Sequence, residues 1–487
     1  MARACFIGLD QGSSTTKALV ISEQGQVLFQ AKRAVAPPFR NNDRLEYDAE
    51  NILSGVQAVL GEAVVSLQAS GFAAAGIGLS CQRSSCLLWD EASGEPLSPV
   101  LSWRDRRGSP LIESIRAQGA RVFETTGLPL TPYYSASKLK WLGENLPAAK
   151  KGTAVLGPLS SFLVQRLTSS KKAVVDHTQA ARTQLLNIRS LEWDPALLEL
   201  FGLSGARLPE IVSVIREYGA VMTAAGPVPL RVCIGDQQAA MAGLGVLEQG
   251  DGGINYGTGG FLMVNSGTAL VTAPNLMASV HYSTDRERHY LLEGSVNAAG
   301  DALEWLRTGL RLFKEYDEVD DLCWQAATDV VAFVGLNGTG APHWEDSISS
   351  AFHGLSPASG PADIIRGTVE GIAFFVKDIA GQIRSAGLEP HCFSVSGGLS
   401  SLSYLVQVQA DLLGMDLCMS NQQEVSALGA ALLAGMARDV WSPSGIKQLV
   451  GRGETVSPRH NAGAAKRYRR WQELHRMTRD LDKIDGS

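Results

Sequence analysis

One local pattern occurs twice in the chain, about half its length apart: an apolar strand, a tight turn of glycine, serine and threonine, then a second apolar strand. The copies are Phe6-Ile-Gly-Leu-Asp-Gln-Gly-Ser-Ser-Thr-Thr-Lys-Ala-Leu-Val-Ile21 and Ile254-Asn-Tyr-Gly-Thr-Gly-Gly-Phe-Leu-Met-Val264. Each predicts a β-hairpin. Its turn gathers backbone N–H groups and hydroxyls into a concavity that can wrap phosphate oxygens. A single turn of this kind is usually only a turn. Two copies, with Gly235-Asp-Gln-Gln238 just before the second, imply two related domains that each lend a phosphate loop to a shared cleft. The chain has no GxxxxGK[ST] and no GxGxxG, so any nucleotide site must be built from the hairpins.

Around the hairpins, helical and strand-like stretches alternate. Residues 48–65, 302–313 and 364–386 read as helices, and residues 75–79, 230–234, 330–336 and 393–396 as strands, which argues for an α/β architecture. Glycines cluster at Gly243-Leu-Gly-Val-Leu-Glu-Gln-Gly-Asp-Gly-Gly253 and place the boundary there, giving domains 1–245 and 246–487, with a hinge expected near Gly250 and Gly252. The basic stretch 466–479 reads as a solvated helix.

The 487 residues, 45% hydrophobic, suffice for two large cores, and a net charge of -6 gives no field for gathering nucleic acid. The seven cysteines are scattered, without CxxC or metal-ligand spacing, as expected of buried free thiols in a reducing compartment. No signal-peptide pattern opens the sequence, and no apolar run approaches the roughly 18 residues needed to span a bilayer. A cytoplasmic protein without membrane partners is expected.

The chain resembles the FGGY carbohydrate kinases over nearly its whole length. The resemblance rests on Asp10-Gln-Gly-Ser-Ser-Thr-Thr-Lys17, Gln82-Arg83, Trp103-Arg-Asp-Arg-Arg107, Tyr133-Tyr-Ser-Ala-Ser-Lys-Leu-Lys-Trp141, Asp176-His-Thr-Gln-Ala-Ala-Arg-Thr183, Gly235-Asp-Gln-Gln-Ala-Ala240, Tyr256-Gly-Thr-Gly259, Gly397-Gly398 and Ala427-Leu-Gly-Ala-Ala431. It implies two ribonuclease-H-like domains, of the actin, hexokinase and heat-shock ATPase type, closing over ATP, Mg²⁺ and a small polyol or sugar. It also implies a homodimer or tetramer.

Phosphoryl transfer to an alcohol needs a proton acceptor, cations at the γ-phosphate and donors that hold the phosphates in line. The resemblance makes Asp236 the catalytic base, although Asp before Gln-Gln-Ala-Ala is also a good helix start. It assigns Asp10 and Asp236 to Mg²⁺. Gly12, Ser13, Ser14, Thr15 and Lys17 would follow the phosphates on one side, and Gly257, Thr258 and Gly259 on the other. Gly398 would lie near the adenosine. Gln82, Arg83, Trp103, Tyr133, Asp236, Gln237 and Phe261 would surround the acceptor, with aromatic faces on carbon and polar groups on hydroxyls.

The segment Gly157-Pro-Leu-Ser-Ser-Phe-Leu163 lacks an Asp often found there in the family, and two single positions also depart from the pattern. Ser84 stands where members acting on glycerol carry Glu, leaving a roomier, less acidic pocket, and Leu402 replaces an Asn usual near adenine. The leading expectation is therefore a polyol kinase with glycerol as first candidate. The alternative is a kinase for a ketopentose such as xylulose or ribulose, or for a longer polyol. A non-catalytic ATP-binding module is the reading from a different class, and the hydroxyl-reading residues weigh against it.

Overall fold

The protein is described by a computed structural model covering residues 3–168, 172–336, 338–345, 347–451 and 453–485. In the first hairpin, β1 (Arg3–Gln11) and β2 (Thr15–Ser22) pair antiparallel with Asp10 opposite Lys17. Strand β3 (Val27–Ala34) adds to β2. Helix α1 (Ala49–Ser70) starts where Asp48 accepts a hydrogen bond from the Asn51 N–H and stops at Gly71, which is left-handed at φ 72°. Strand β4 (Phe72–Cys81) then lies parallel to β1. Strands β5 (Ile215–Thr223) and β6 (Gly226–Gly235) complete a six-stranded sheet of order β5-β6-β4-β1-β2-β3. Pro227 and Pro229 fit in β6 because its first half pairs only with β5; pairing with β4 begins at Leu230.

Helix α2 (Asp236–Gly243) leads to the second sheet. Its strands are β7 (Asp251–Tyr256), β8 (Gly260–Gly267), β9 (Met277–Ser283), β10 (Arg288–Val296), β11 (Cys392–Ser396), β12 (Leu417–Met419) and β13 (Thr455–Val456). Their order is β9-β10-β8-β7-β11-β12-β13. An antiparallel hairpin whose first strand continues into parallel neighbours therefore recurs, β1-β2 in one sheet and β7-β8 in the other, as the repeated sequence pattern predicts. Helices α3 (Gly300–Thr308), α4 (Pro361–Ser385), α5 (Val425–Met436) and α6 (Ala462–Asp485) complete the frame.

Strand alternation distributes β1 between two cores. Cys5, Ile7 and Leu9 join the cluster under α1, while Phe6 joins Ala427 and Ala431 of α5. Helix α5 thus covers the first sheet although it comes late in the chain. Reciprocally, Met241 and Leu244 at the end of α2 pack on Met263 and Leu291 of the second sheet. The exchange requires backbone contact. A Cβ at Gly8 would lie 1.8 Å from the Ala427 carbonyl, and one at Gly429 would lie 1.8 Å from that of Ala239. A cut between residues 245 and 246 separates α5 from the sheet it covers, whereas α2 keeps Ala239 and Ala242 in the first-sheet cluster and sets Met241 against the second.

Four expectations need correction. The strand expected over 330–336 is limited to Val331–Phe333, paired with Ala351–His353. The helix expected over 302–313 ends at Thr308, and Arg311 beyond it is left-handed at φ 56°. Helix α6 is not solvated all round. Trp471 is fully buried against Phe374 and Phe375, and Arg467 makes two 2.6 Å hydrogen bonds to the buried carboxylate of Glu370. The glycines at 250 and 252 are packing positions rather than free joints: a Cβ would come within 2.6 Å of His391 and 2.5 Å of Phe393.

Candidate active site

The residues expected at the site fall mainly in the two repeated turns and at the junction of β6 with α2. In the first turn, the Gly12 N–H donates to the Thr15 carbonyl at 3.0 Å, which leaves Ser13 and Ser14 at the tip. Asp10, at the end of β1, is 9% exposed and accepts a 2.8 Å hydrogen bond from the Ser80 hydroxyl. Burial pushes its pKa up to about 6, and the nearby Asp236 and Glu424 charges add to the rise against Ser80 and Lys17. Lys17, expected beside the phosphates, sets its Nζ 2.5 Å from Glu424, the residue that precedes α5.

Asp236 is the first residue of α2, where the extended backbone of Gly235 turns into the helix. One oxygen accepts from the Gln237 N–H at 2.8 Å and lies 3.3 Å from Nε of Arg83. Gly235 is the N-cap and Asp236 the first helical residue, so the cap that Asp236 could have made is not formed and its carboxylate bonds the next N–H instead. Burial raises its pKa, opposed chiefly by the Arg83 guanidinium.

Gln82 and Arg83 are neighbours with different environments. Gln82 turns inward, donating to Gln11 at 3.1 Å and accepting from Ser85 at 3.0 Å, so it orders the loop rather than facing an acceptor. Arg83 joins Asp236. Ser84, left-handed at φ 64°, donates to the Arg182 carbonyl at 3.2 Å. The Trp103 and Tyr133 rings stand 6.3 Å apart, with Tyr133 41% exposed, and Phe261 packs beside the end of α2. The Oε1 of Gln237 is buried without a hydrogen-bond donor.

In the second turn, the Gly257 N–H donates to the Gly259 carbonyl at 2.8 Å. Gly257, Thr258 and Gly398 line one cavity of about 820 Å³ together with Asp301, Tyr316 and Leu402. The expected phosphate turn and adenosine glycine thus share a pocket, and Leu402 is on its wall. Gly259 lies against the Val296 carbonyl, 2.7 Å from where its Cβ would be.

Sequence reading passed over Glu293, Ser279 and Glu424. It quoted Arg182 without giving it a part in the site. Arg182, 3% exposed, forms an ion pair with Glu293, which has no exposed surface, and donates to Ser279 at 2.7 Å. The available signal was a lone carboxylate inside the apolar run Tyr290-Leu-Leu-Glu-Gly-Ser-Val296.

Two repeated sheets, paired glycine-rich turns and a carboxylate at a strand–helix junction between them describe a two-lobed phosphotransferase. Residues 5–243 match the N-terminal domain and residues 252–438 the C-terminal domain of the FGGY family of carbohydrate kinases. The chain belongs to that family and is a carbohydrate kinase. It is 30% identical to a glycerol kinase of Streptococcus agalactiae serotype Ia, over 97% of both chains, and 31% identical to one of Streptococcus pyogenes serotype M3, over 97% of this chain and 96% of that one. The structure superposes on a Plasmodium falciparum glycerol kinase crystallised with ADP at a TM-score of 0.92, with 27% identity and 98% of each chain covered. A xylulose kinase from Rhodospirillum rubrum shares the fold at a TM-score of 0.89, with 22% identity, covering 98% of this chain and 99% of that one. Among the described residues, no helix is long and apolar enough to cross a membrane.

Proposed function

We propose that the protein transfers the γ-phosphoryl group of ATP to a terminal hydroxyl of a small polyol, with glycerol the first candidate. The observation that carries this reading is Asp236: a carboxylate at a helix start, in contact with Arg83 on the acceptor side and coupled in charge to Asp10 on the phosphate side. Asp236 accepts the proton of the attacking hydroxyl, while Arg83, Trp103 and Tyr133 orient the acceptor. The turns at Gly12–Thr15 and Gly257–Gly259 hold the phosphates, and the cavity beside Gly398 takes the adenosine.

Asp10 and Asp236 fit a Mg²⁺ that arrives with the nucleotide, because their charges oppose one another in a buried setting and a dication relieves that repulsion. Among the described residues, no trio of His, Cys, Asp or Glu could hold a metal alone, which suits an ion that keeps much of its water and leans on substrate phosphates. When bound, the ion neutralises charge on the transferring group.

A second reading, a ketopentose or longer polyol as acceptor, is favoured by Ser84. Its hydroxyl is engaged by the Arg182 carbonyl, so this position presents no carboxylate to an acceptor hydroxyl. Changes in polar complementarity at a hydroxyl-reading site can alter selectivity by orders of magnitude.

The test of the base is Asp236→Asn. Turnover in an ADP-release assay is expected to fall by about 10²–10⁴-fold, the usual worth of a general base, with the ATP KM little changed. A folded variant with near-normal turnover would refute the assignment.

A further inference from the structure

The side chain that reads the acceptor in this account, Arg83, is held by groups from both sheets. On its own side, Nε lies 3.3 Å from Asp236 and NH1 donates to Oε1 of Gln238 at 3.3 Å. From the second sheet, Oε2 of Glu293 approaches NH1 to 3.8 Å. Glu293 is in β10, opposite Met277 of β9, and has no exposed surface. Its other oxygen is fully engaged by Arg182, and by Ser279, which donates at 3.1 Å. Charges therefore alternate through the interior: Asp236, Arg83, Glu293, Arg182.

One feature of this chain of charges is incomplete. Among the described residues, no donor reaches hydrogen-bonding distance of Oε2 of Glu293. A buried carboxylate oxygen without a donor is costly, and the Arg83 Nη1, 3.8 Å away, is a donor just beyond reach. A small approach of the two sheets converts the 3.8 Å ion pair into a charge-assisted hydrogen bond. That bond would fix the guanidinium in the plane that faces the acceptor.

We propose that Glu293 is a positioning residue of the acceptor site, a carboxylate of the second sheet that locks Arg83 of the first sheet into its acceptor-reading orientation when the cleft closes. The inference rests on the acceptor role given to Arg83 above. It makes acceptor affinity depend on the approach of the sheets. It leaves the nucleotide cavity, lined from the β7–β8 turn and the segment at Gly398, outside the effect.

The test is a double-mutant cycle on the full chain, read with whichever polyol or sugar the wild-type protein turns over best. Glu293→Gln is expected to raise the acceptor KM about tenfold while the ATP KM stays within about twofold, and to add nothing further in an Arg83→Gln background, since contacting residues in one network are not additive. Glu293→Asp keeps a charge beside Arg182 but draws the whole carboxylate back by one methylene, across a gap to Arg83 that is already 3.8 Å, so it is expected to raise the acceptor KM as well while leaving the ATP KM within about twofold. Full rescue by Asp, equal losses for both substrates, or additive effects with Arg83→Gln would each overturn the proposal, because a purely structural counter-ion gives those results. A wild type that phosphorylates no polyol or sugar would instead overturn the acceptor role of Arg83, and the proposal with it.

Discussion

Asp10 and Asp236 are both placed where burial disfavours their charge, so the two carboxylates proposed to serve the transfer also weaken the unliganded fold. Burial lifts the Asp10 carboxyl from its ordinary 3.8 to about 6, so the native state holds the proton more tightly than the unfolded chain. Its contribution to stability is present at low pH and is lost as pH rises through that window. Removing the charge should reverse the loss. Asp10→Asn, which still accepts from Ser80, is expected to stabilise the unliganded protein at pH 7.5 by up to about 3 kcal/mol, with the gain vanishing near pH 4, while turnover collapses. Thermal melts at the two pH values check this; a variant less stable than wild type at pH 7.5 would contradict it. Much of this site was legible residue by residue, since Asp10, Arg83 and Asp236 sit in short local motifs. That Gln82 turns inward while Arg83 reaches Asp236 was not legible, because sequence adjacency does not say which of two neighbours turns inward. The partner of Lys17 lies 407 positions away, at Glu424, and no local pattern announces it.

At the scale of elements, the helical stretch 48–65 was readable within α1, and both hairpins were readable from their turns. The last helix was misread because its many arginines outweighed a weaker apolar spacing, Ala464, Trp471 and Leu474, that only tertiary burial reveals. The exchange of α2 and α5 between sheets was not legible at all, because it depends on glycines that match carbonyls far away in the chain. Gly429→Ala drives a Cβ into the Ala239 carbonyl and is expected to cost about 3 kcal/mol, as overpacking does at a rigid contact. Gly381→Ala, in α4 with open space around it, is the matched control and is expected to stabilise by about 0.5–1 kcal/mol. Chemical denaturation of the two variants separates them, and equal effects would refute the account of the crossing.

Across the whole molecule, two sheets of matching topology each carry a glycine-rich hairpin turn, and the proposed function has these turns hold the phosphates from either side. Water must be excluded when the γ-phosphoryl group moves, so closure is expected to need both substrates. In small-angle scattering, an acceptor together with a non-hydrolysable ATP analogue should reduce the radius of gyration more than either alone; no change would argue for a static cleft. The repeat that predicts this architecture was the clearest statement in the sequence, whereas the identity of the acceptor is written in a few side chains such as Ser84, whose environment only the fold supplies. The most direct test of the central claim is ADP release with Mg-ATP and glycerol, erythritol, ribitol, arabitol, xylulose, ribulose and gluconate in turn, with Asp236→Asn as the blank. The account predicts strong turnover on glycerol or another small polyol that the blank lacks, and turnover confined to gluconate, or equal in the blank, would contradict it.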